Sequence, residues 1–291
     1  MFLFSTRRIK LLLLLPALVI FCVYVLYPIG YSLILAFQYK PTYRPGHFIG
    51  IDNFVEMLSD DRFWTALKNT AIIAVVEILL IPALAFLLGL LINQSFRGSS
   101  IVKVLAFTPY ILAGIVTTLI WVFIVDPNIG LINGVLNAMG VDTTNLLLIG
   151  GRDLTPVTVG VIESWKSIGF FAVLFMAGLK MIPQELFDAA AADGATALQR
   201  VRFITLPMLR ETNKIVIVLV FLNAVQSLQT VFILTGGGPN YESHSIGSYI
   251  YDVFITQRRV GYASSITLFM FVVMMVFSVA FLMRTSRRVE E

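Results

Sequence analysis

A single cysteine, Cys22, occurs in 291 residues, and it lies inside an apolar run, so the chain carries no disulfide framework and no cysteine metal site. Histidine is almost as scarce. His47 and His244 stand far apart with no ligand spacing around them, which leaves a metal site without support. Charge is thin as well: 13% of residues are Asp, Glu, Lys or Arg, about half the ~25% of a soluble protein. With 58% hydrophobic residues, the composition is that of a polytopic membrane protein, and the formal charge of +4 is not a nucleic-acid signal. No G-x-x-x-x-G-K-[ST] occurs; Gly236-Gly-Gly-Pro239 lacks the lysine and reads as a turn. G-x-S-x-G and H-E-x-x-H are equally absent. No catalytic residue is assigned, and any ATP hydrolysis belongs to another polypeptide.

What is present is a series of long apolar runs. A basic start, residues 1–10, precedes a run over about 11–37 that contains Pro16 and Pro28. It is longer than a signal-peptide core and lacks a small-x-small cleavage site, so it reads as a retained first span. Further spans fall at about 69–92, 104–125, 157–179, 215–234 and 262–283, each near the ~20 residues that cross hydrocarbon. The expected fold is all-α, a single membrane domain over 1–291 with six transmembrane helices. Residues 126–156 read as loop.

Basic residues set the orientation. With the N-terminus inside, the inner segments hold Arg7, Arg8 and Lys10; Arg97 and Lys103; Lys180, Arg200, Arg202, Arg210 and Lys214; and Arg284, Arg287 and Arg288. The outer segments hold only Lys40, Arg44, Arg62, Lys68, Arg152, Arg258 and Arg259. The bias places both termini, and the polar stretch between the fourth and fifth spans, in the cytoplasm.

Polar groups inside the spans need reasons, because lipid penalises them. Asn223, Gln226 and Thr230 recur at i, i+3 and i+7, with Ser227 on the same stripe. Amides and hydroxyls on one face suit a hydroxyl-rich solute; they serve equally as glue between helices. Glu163 and Lys166 are three apart and can meet as an ion pair inside the bundle, with a proton relay as the other reading. Trp165 between them faces either lipid or a pocket. Glu77 stands alone in the second span. Ala85 and Gly89 form a small-x-x-x-small packing pair.

The longest patterned polar stretch is 183–207, PQELFDAAAADGATALQRVRFITLP. Pro183 suits a first helical turn, Glu185 and Asp188 place negative charge near the helix N-terminus, and Gly194 suits a left-handed stop. A second short helix follows, carrying Arg200 and Arg202, before Pro207. The order Asp188-Ala189-Ala190, Gly194, then Ile204-x-Leu206-Pro207 after nine residues resembles the EAA loop of ABC-importer permeases, with Asp188 where that family usually has Glu. Asp52-Asn53-Phe54, Trp121 with Gly130-x-x-Asn133, Trp165 with Gly169-Phe170, Gly237-Gly-Pro239, Tyr251 with Phe254, and Gly261-Tyr262-Ala263 resemble the carbohydrate-uptake branch of these permeases.

The resemblance implies a subunit that moves a sugar or oligosaccharide into a prokaryotic cell across its plasma membrane. Its implied partners are a second homologous permease, two cytoplasmic ATPase subunits and an extracytoplasmic solute-binding protein. ATP and Mg²⁺ are expected on the ATPase subunits, with no cofactor on this chain. Asp188, Ala189, Ala190, Gly194, Ile204, Leu206 and Pro207 are implied to couple the 183–207 hairpin to an ATPase. Asn223, Gln226, Ser227, Thr230, Trp165, Glu163 and Lys166 are the candidate solute path. A glycerol phosphate cargo is one rival; an ion-coupled secondary transporter, which needs its own ion site, is another.

Overall fold

A computed structural model describes residues 7–94, 97–143, 146–151 and 153–286, with side chains over 13–285 of these. Arg152, Arg287 and Arg288, counted above for orientation, lie outside the described residues, as do the side chains of Arg7, Arg8 and Lys10.

The first apolar run is helical throughout. Helix α1 (Arg7–Phe21) passes through one wide turn, Cys22–Leu26, into α2 (Tyr27–Ala36). Pro28 follows directly on the wide turn, whose looser ladder accommodates a residue with no amide hydrogen. A two-residue hairpin follows, β1 (Gln38–Tyr39) paired antiparallel with β2 (His47–Phe48), and then a short helix, α3 (Asp52–Ser59). The second span is the long α4 (Asp61–Asn93). Its 33 residues make about 50 Å of helix, more than a ~30 Å hydrocarbon layer needs.

The expected third span, 104–125, is corrected: it is two helices, α5 (Ser99–Ile111) and α6 (Gly114–Val125), bent by 96°. Leu112 and Ala113 between them are extended, with ψ of 144° and 128°. The loop expected over 126–156 also contains a helix, α7 (Leu131–Ala138). Before it, Asp126 accepts the amides of Asn128 and Ile129 on Oδ1 at 2.8 and 3.0 Å, and these bonds hold its carboxyl below the usual range.

The fourth span is α8 (Leu154–Lys180). The polar stretch holds α9 (Gln184–Ala192), α10 (Ala197–Arg200), a wide turn at Val201–Thr205 and α11 (Leu206–Met208). The fifth span is interrupted: α12 (Arg210–Val225), a two-residue break, then α13 (Leu228–Thr235). A last short helix, α14 (Ile246–Tyr251), leads through Asp252–Thr256 to the sixth span, α15 (Val260–Ser286). Among the described residues, five helical stretches are long and apolar enough to cross a membrane, and six if the bent α5–α6 pair makes one.

The single domain expected over 1–291 divides into two compact units, Met1–Asp60 with Ile250–Met275 and Asp61–Tyr249 with Val276–Glu291. In the first, Asn53 donates from Nδ2 to the carbonyls of Ala36 and Gln38, both at 2.9 Å, which fixes α3 against the end of α2. Arg259 forks onto both oxygens of Glu56, and the Tyr262 hydroxyl donates to Asp60 at 2.6 Å. A side chain on Gly261 would strike the Gln38 carbonyl, so the strand end can lie directly on the backbone there. The Asp52-Asn53-Phe54 and Gly261-Tyr262-Ala263 elements therefore meet in one clasp.

In the second unit, α4 and α8 form the centre. Lipid gives no hydrophobic drive for helices to associate, so close approach between small residues matters most. A Cβ on Gly89 would lie 3.0 Å from the Phe175 Cβ and 3.1 Å from the Ala172 carbonyl, and Ala85, one turn before, is fully buried. Ile81, Ala85 and Ile92 of α4, Phe171 and Phe175 of α8, and Val216 and Val220 of α12 make one core cluster. Ile73, Val159, Ile162, Ala224 and Val231 make another. The loop after α13 is tied to α4: Asn69 donates to the carbonyls of Glu242 (2.7 Å) and His244 (2.9 Å), and Thr70 accepts the Ile246 amide at 2.8 Å.

Gly169 is a closer approach than Gly89, since a Cβ there would collide with the Ala106 carbonyl of α5. Gly169→Ala is expected to cost about 1–3 kcal/mol, as overpacking does, and to lower the thermal midpoint of the purified protein. Gly134→Ala, in α7 with open space around it, is expected not to lower that midpoint, and to raise it slightly because Ala favours a helix interior.

Candidate functional site

Two constellations stand out, one at a helix hairpin outside the apolar spans and one buried between them. In the hairpin, Pro183 is the cap residue just outside the helix, with ψ 131°, and α9 begins at Gln184. Gln184 donates to Asp188 at 3.0 Å, one turn later. At the other end the Gly194 amide bonds the Ala191 carbonyl at 3.1 Å and the Ala195 amide the Ala190 carbonyl at 2.8 Å. That is the paired-bond stop that needs a left-handed residue, and Gly194 has φ +77°. Thr196 then opens α10 with a reciprocal cap: its own amide donates to Gln199 Oε1 at 2.7 Å while its hydroxyl accepts the Gln199 amide. Two short helices are thus set by a local bond pattern.

The hairpin has an inner and an outer face. Phe187 and Ile204 pack against the α4–α8–α12 core. Asp188, Ala189, Gly194, Leu206 and Pro207 are exposed, and Ala190 is half-buried. Leu198 and Phe203 are 77% and 68% exposed, beside Leu186 and Met208. The Arg202 guanidinium lies 5.6 Å from the Phe203 ring centre, and the other large apolar side chains are exposed on a hairpin rich in charge.

The buried constellation joins five helices. On α8, Lys166 donates to Glu163 at 2.9 Å, with both side chains largely buried. Thr230 of α13 donates its hydroxyl to Glu163 and accepts from Lys166 at 3.2 Å. The Thr118 hydroxyl of α6 lies 3.3 Å from that of Thr230. Glu77 of α4, the lone acid of the expected second span and in need of a partner, receives the Asn223 amide on Oε2 at 3.1 Å, and Asn223 also reaches the Ser167 hydroxyl at 3.4 Å. Glu77 Oε1 has no partner among the described residues.

The expected stripe on the fifth span is corrected. Asn223 lies in the last turn of α12, Gln226 and Ser227 form the break, and Thr230 lies on α13, so the four do not share one regular helical face. The break is made by tight turns: the Gln226 amide bonds the Asn223 carbonyl at 2.9 Å and that of Ser227 the Ala224 carbonyl at 3.4 Å. Gln226 is exposed, whereas the Ser227 hydroxyl is buried with no partner among the described residues. Trp165 is 39% exposed and meets Trp121 edge to face, ring centroids 5.6 Å apart. Thr118 and Ser167 belong to the cluster but carried no sequence signal beyond being hydroxyls in apolar runs.

This helical architecture matches a crystal structure of a bacterial ABC transporter involved in the import of the acidic polysaccharide alginate, with a TM-score of 0.83, 25% identity, and coverage of 97% of this chain and 96% of that one. The diacetylchitobiose uptake system permease protein NgcF of Streptomyces coelicolor is 31% identical over 273 residues, 90% of this chain and 77% of NgcF. The trehalose transport system permease protein SugA of Mycobacterium tuberculosis is 30% identical over 274 residues, 92% of this chain and 85% of SugA. Residues 81–290 match the family described as binding-protein-dependent transport system inner membrane component. A multi-pass chain with this hairpin, matched over most of its length, belongs to that family and is a transport permease.

Proposed function

We propose that this chain is the permease subunit of an ATP-driven importer for a sugar or oligosaccharide, driven from the cytoplasm through the 183–207 hairpin. The observation that carries the reading is the hairpin itself. Its inner residues Phe187 and Ile204 are packed into the helix core while its outer apolar residues stand uncovered. A groove on an ATPase subunit that covers Leu198 and Phe203 grips a lever joined to α8 and α12. Asp188, Ala189, Ala190, Gly194, Ile204, Leu206 and Pro207 shape that lever. Small alanines allow close approach, and Gly194 fixes the angle between the two short helices.

ATP and Mg²⁺ act on two such ATPase subunits. A second permease completes the path, a solute-binding protein delivers cargo from outside, and both termini lie in the cytoplasm. Sugar cargo agrees with relatives named for diacetylchitobiose and trehalose and with Gln226 and Trp165, which are exposed near the buried polar cluster. A glycerol phosphate is disfavoured because Lys166 and Lys214, cations buried within spans, are each committed to a carboxylate, Glu163 and Glu211. Broken helices also occur in secondary transporters, but the exposed hairpin has no task in one.

The test is purification of the tagged chain from its native membrane in mild detergent, followed by reconstitution into liposomes. An ATPase with a P-loop and a second permease are expected to accompany it, and uptake of a sugar, delivered by its binding protein, is expected to require ATP. Solute movement by the chain alone, without ATP or under an ion gradient, would overturn the reading.

A further inference from the structure

A cleft of about 770 Å³ opens where the hairpin meets the ends of two membrane helices. Its wall is apolar, with Leu90 from α4, Leu179 from α8 and Phe187 from α9. Its rim is cationic. Lys180 closes the last turn of α8, and Arg200 ends α10 with its Nε buried and without a hydrogen-bond partner among the described residues. The first turn of α9, at Gln184, lies on the same rim with no side chain capping it, and Glu185 of that turn is not among the lining residues. None of the described residues lining the cleft is acidic, and among the described residues no carboxylate pairs with Lys180 or Arg200.

Two cations and a helix start over an apolar wall fit an amphiphile with an anionic head. We propose that the cleft binds the phosphate of an anionic phospholipid, whose acyl chains run along Leu90 and Leu179. Depth favours lipid over an acidic loop of a protein partner. Leu90 and Leu179 belong to the last turns of helices that cross hydrocarbon, the level at which a headgroup gives way to its chains. A basic pocket between membrane helices at the cytoplasmic side is a known way of holding such headgroups. The site stands beside the lever yet is separate from its exposed outer face, and it does not depend on which solute is carried. Lipid seated there props the hairpin against α4 and α8.

The tagged full chain, purified with the subunits that accompany it, is titrated with phosphatidylglycerol and with phosphatidylcholine and read by native mass spectrometry. Phosphatidylglycerol is expected to be retained at least tenfold better, since each cation near the surface contributes on the order of 1 kcal/mol. Lys180→Gln with Arg200→Gln is expected to bring the ratio close to one, and Arg284→Gln, on an exposed cation at the end of α15, to leave it unchanged. Should the double variant fail to purify, Lys180→Gln alone is expected to lower the ratio about fivefold. Inorganic phosphate at the same concentration is expected not to displace the lipid. A wild-type ratio near one, a preference that survives the double substitution, or displacement by inorganic phosphate would each overturn the proposal. So would loss of the preference when ATPase subunits are stripped away, because the charge would then belong to their docking.

Discussion

Lys166→Met is expected to be the most damaging single substitution in the buried cluster, costing about 3–5 kcal/mol of stability, because it strands the Glu163 carboxylate without its cation. Among the described residues Glu163 keeps the Thr230 hydroxyl, which cannot neutralise it. The thermal midpoint of the purified protein reads the loss. Glu163→Gln combined with Lys166→Met removes both charges and is expected to recover most of that stability, since replacing a whole buried pair is far milder than breaking it. The double variant also separates the two roles open for the pair. Uptake restored along with stability makes it a structural tie between α8 and α13. A protein that is stable again yet transports nothing makes the charges part of the transport step.

Gly194→Val is expected to uncouple transport while the protein stays in the membrane at its normal level. A side chain at 194 meets nothing within 4 Å, so the cost is all in the backbone. A residue at φ +77° carries a penalty of roughly 1–2 kcal/mol when it has a Cβ, and β-branching makes it worse. The chain escapes by opening the paired-bond stop at Ala190–Ala195, which swings α10 away from α9. ATP-driven uptake should drop about tenfold or more, the factor that ~1.4 kcal/mol represents. Gly194→Asn, which tolerates the left-handed region, is expected to keep most of the activity. Unchanged uptake in the valine variant at normal expression would sink the lever reading.

The parts of this molecule that are local in sequence were legible in it. Gly194 announces its left-handed turn, Glu163 and Lys166 announce their pairing by their spacing, and the apolar runs announce membrane helices by their length. What the sequence concealed is either non-local or unmarked. Glu77 finds Asn223, 146 positions away, and nothing in either segment points to the other. The break at Gln226–Ser227 carries no Gly or Pro, so a regular helix with a polar stripe was the natural expectation. The right-angled turn at Leu112–Ala113 is flanked by Pro109 and Gly114, a faint signal inside a run apolar enough to pass for one span. Asn53 and Gly261 were visible only as family-like elements; the structure supplies their physical reason in the clasp that joins them.

The bend between α5 and α6 carries a consequence for the life of the chain. Thirteen and twelve residues give about 20 and 18 Å of helix, each too short alone to cross a ~30 Å layer. The extended residues at the corner have backbone groups outside the regular helix ladder, and such groups are not tolerated against lipid tails; they need protein or trapped water around them. A newly inserted copy is therefore an unfinished object until the right neighbours close around that corner. That closure waits for α8 and α13, which follow later in the chain and pack against α5 and α6.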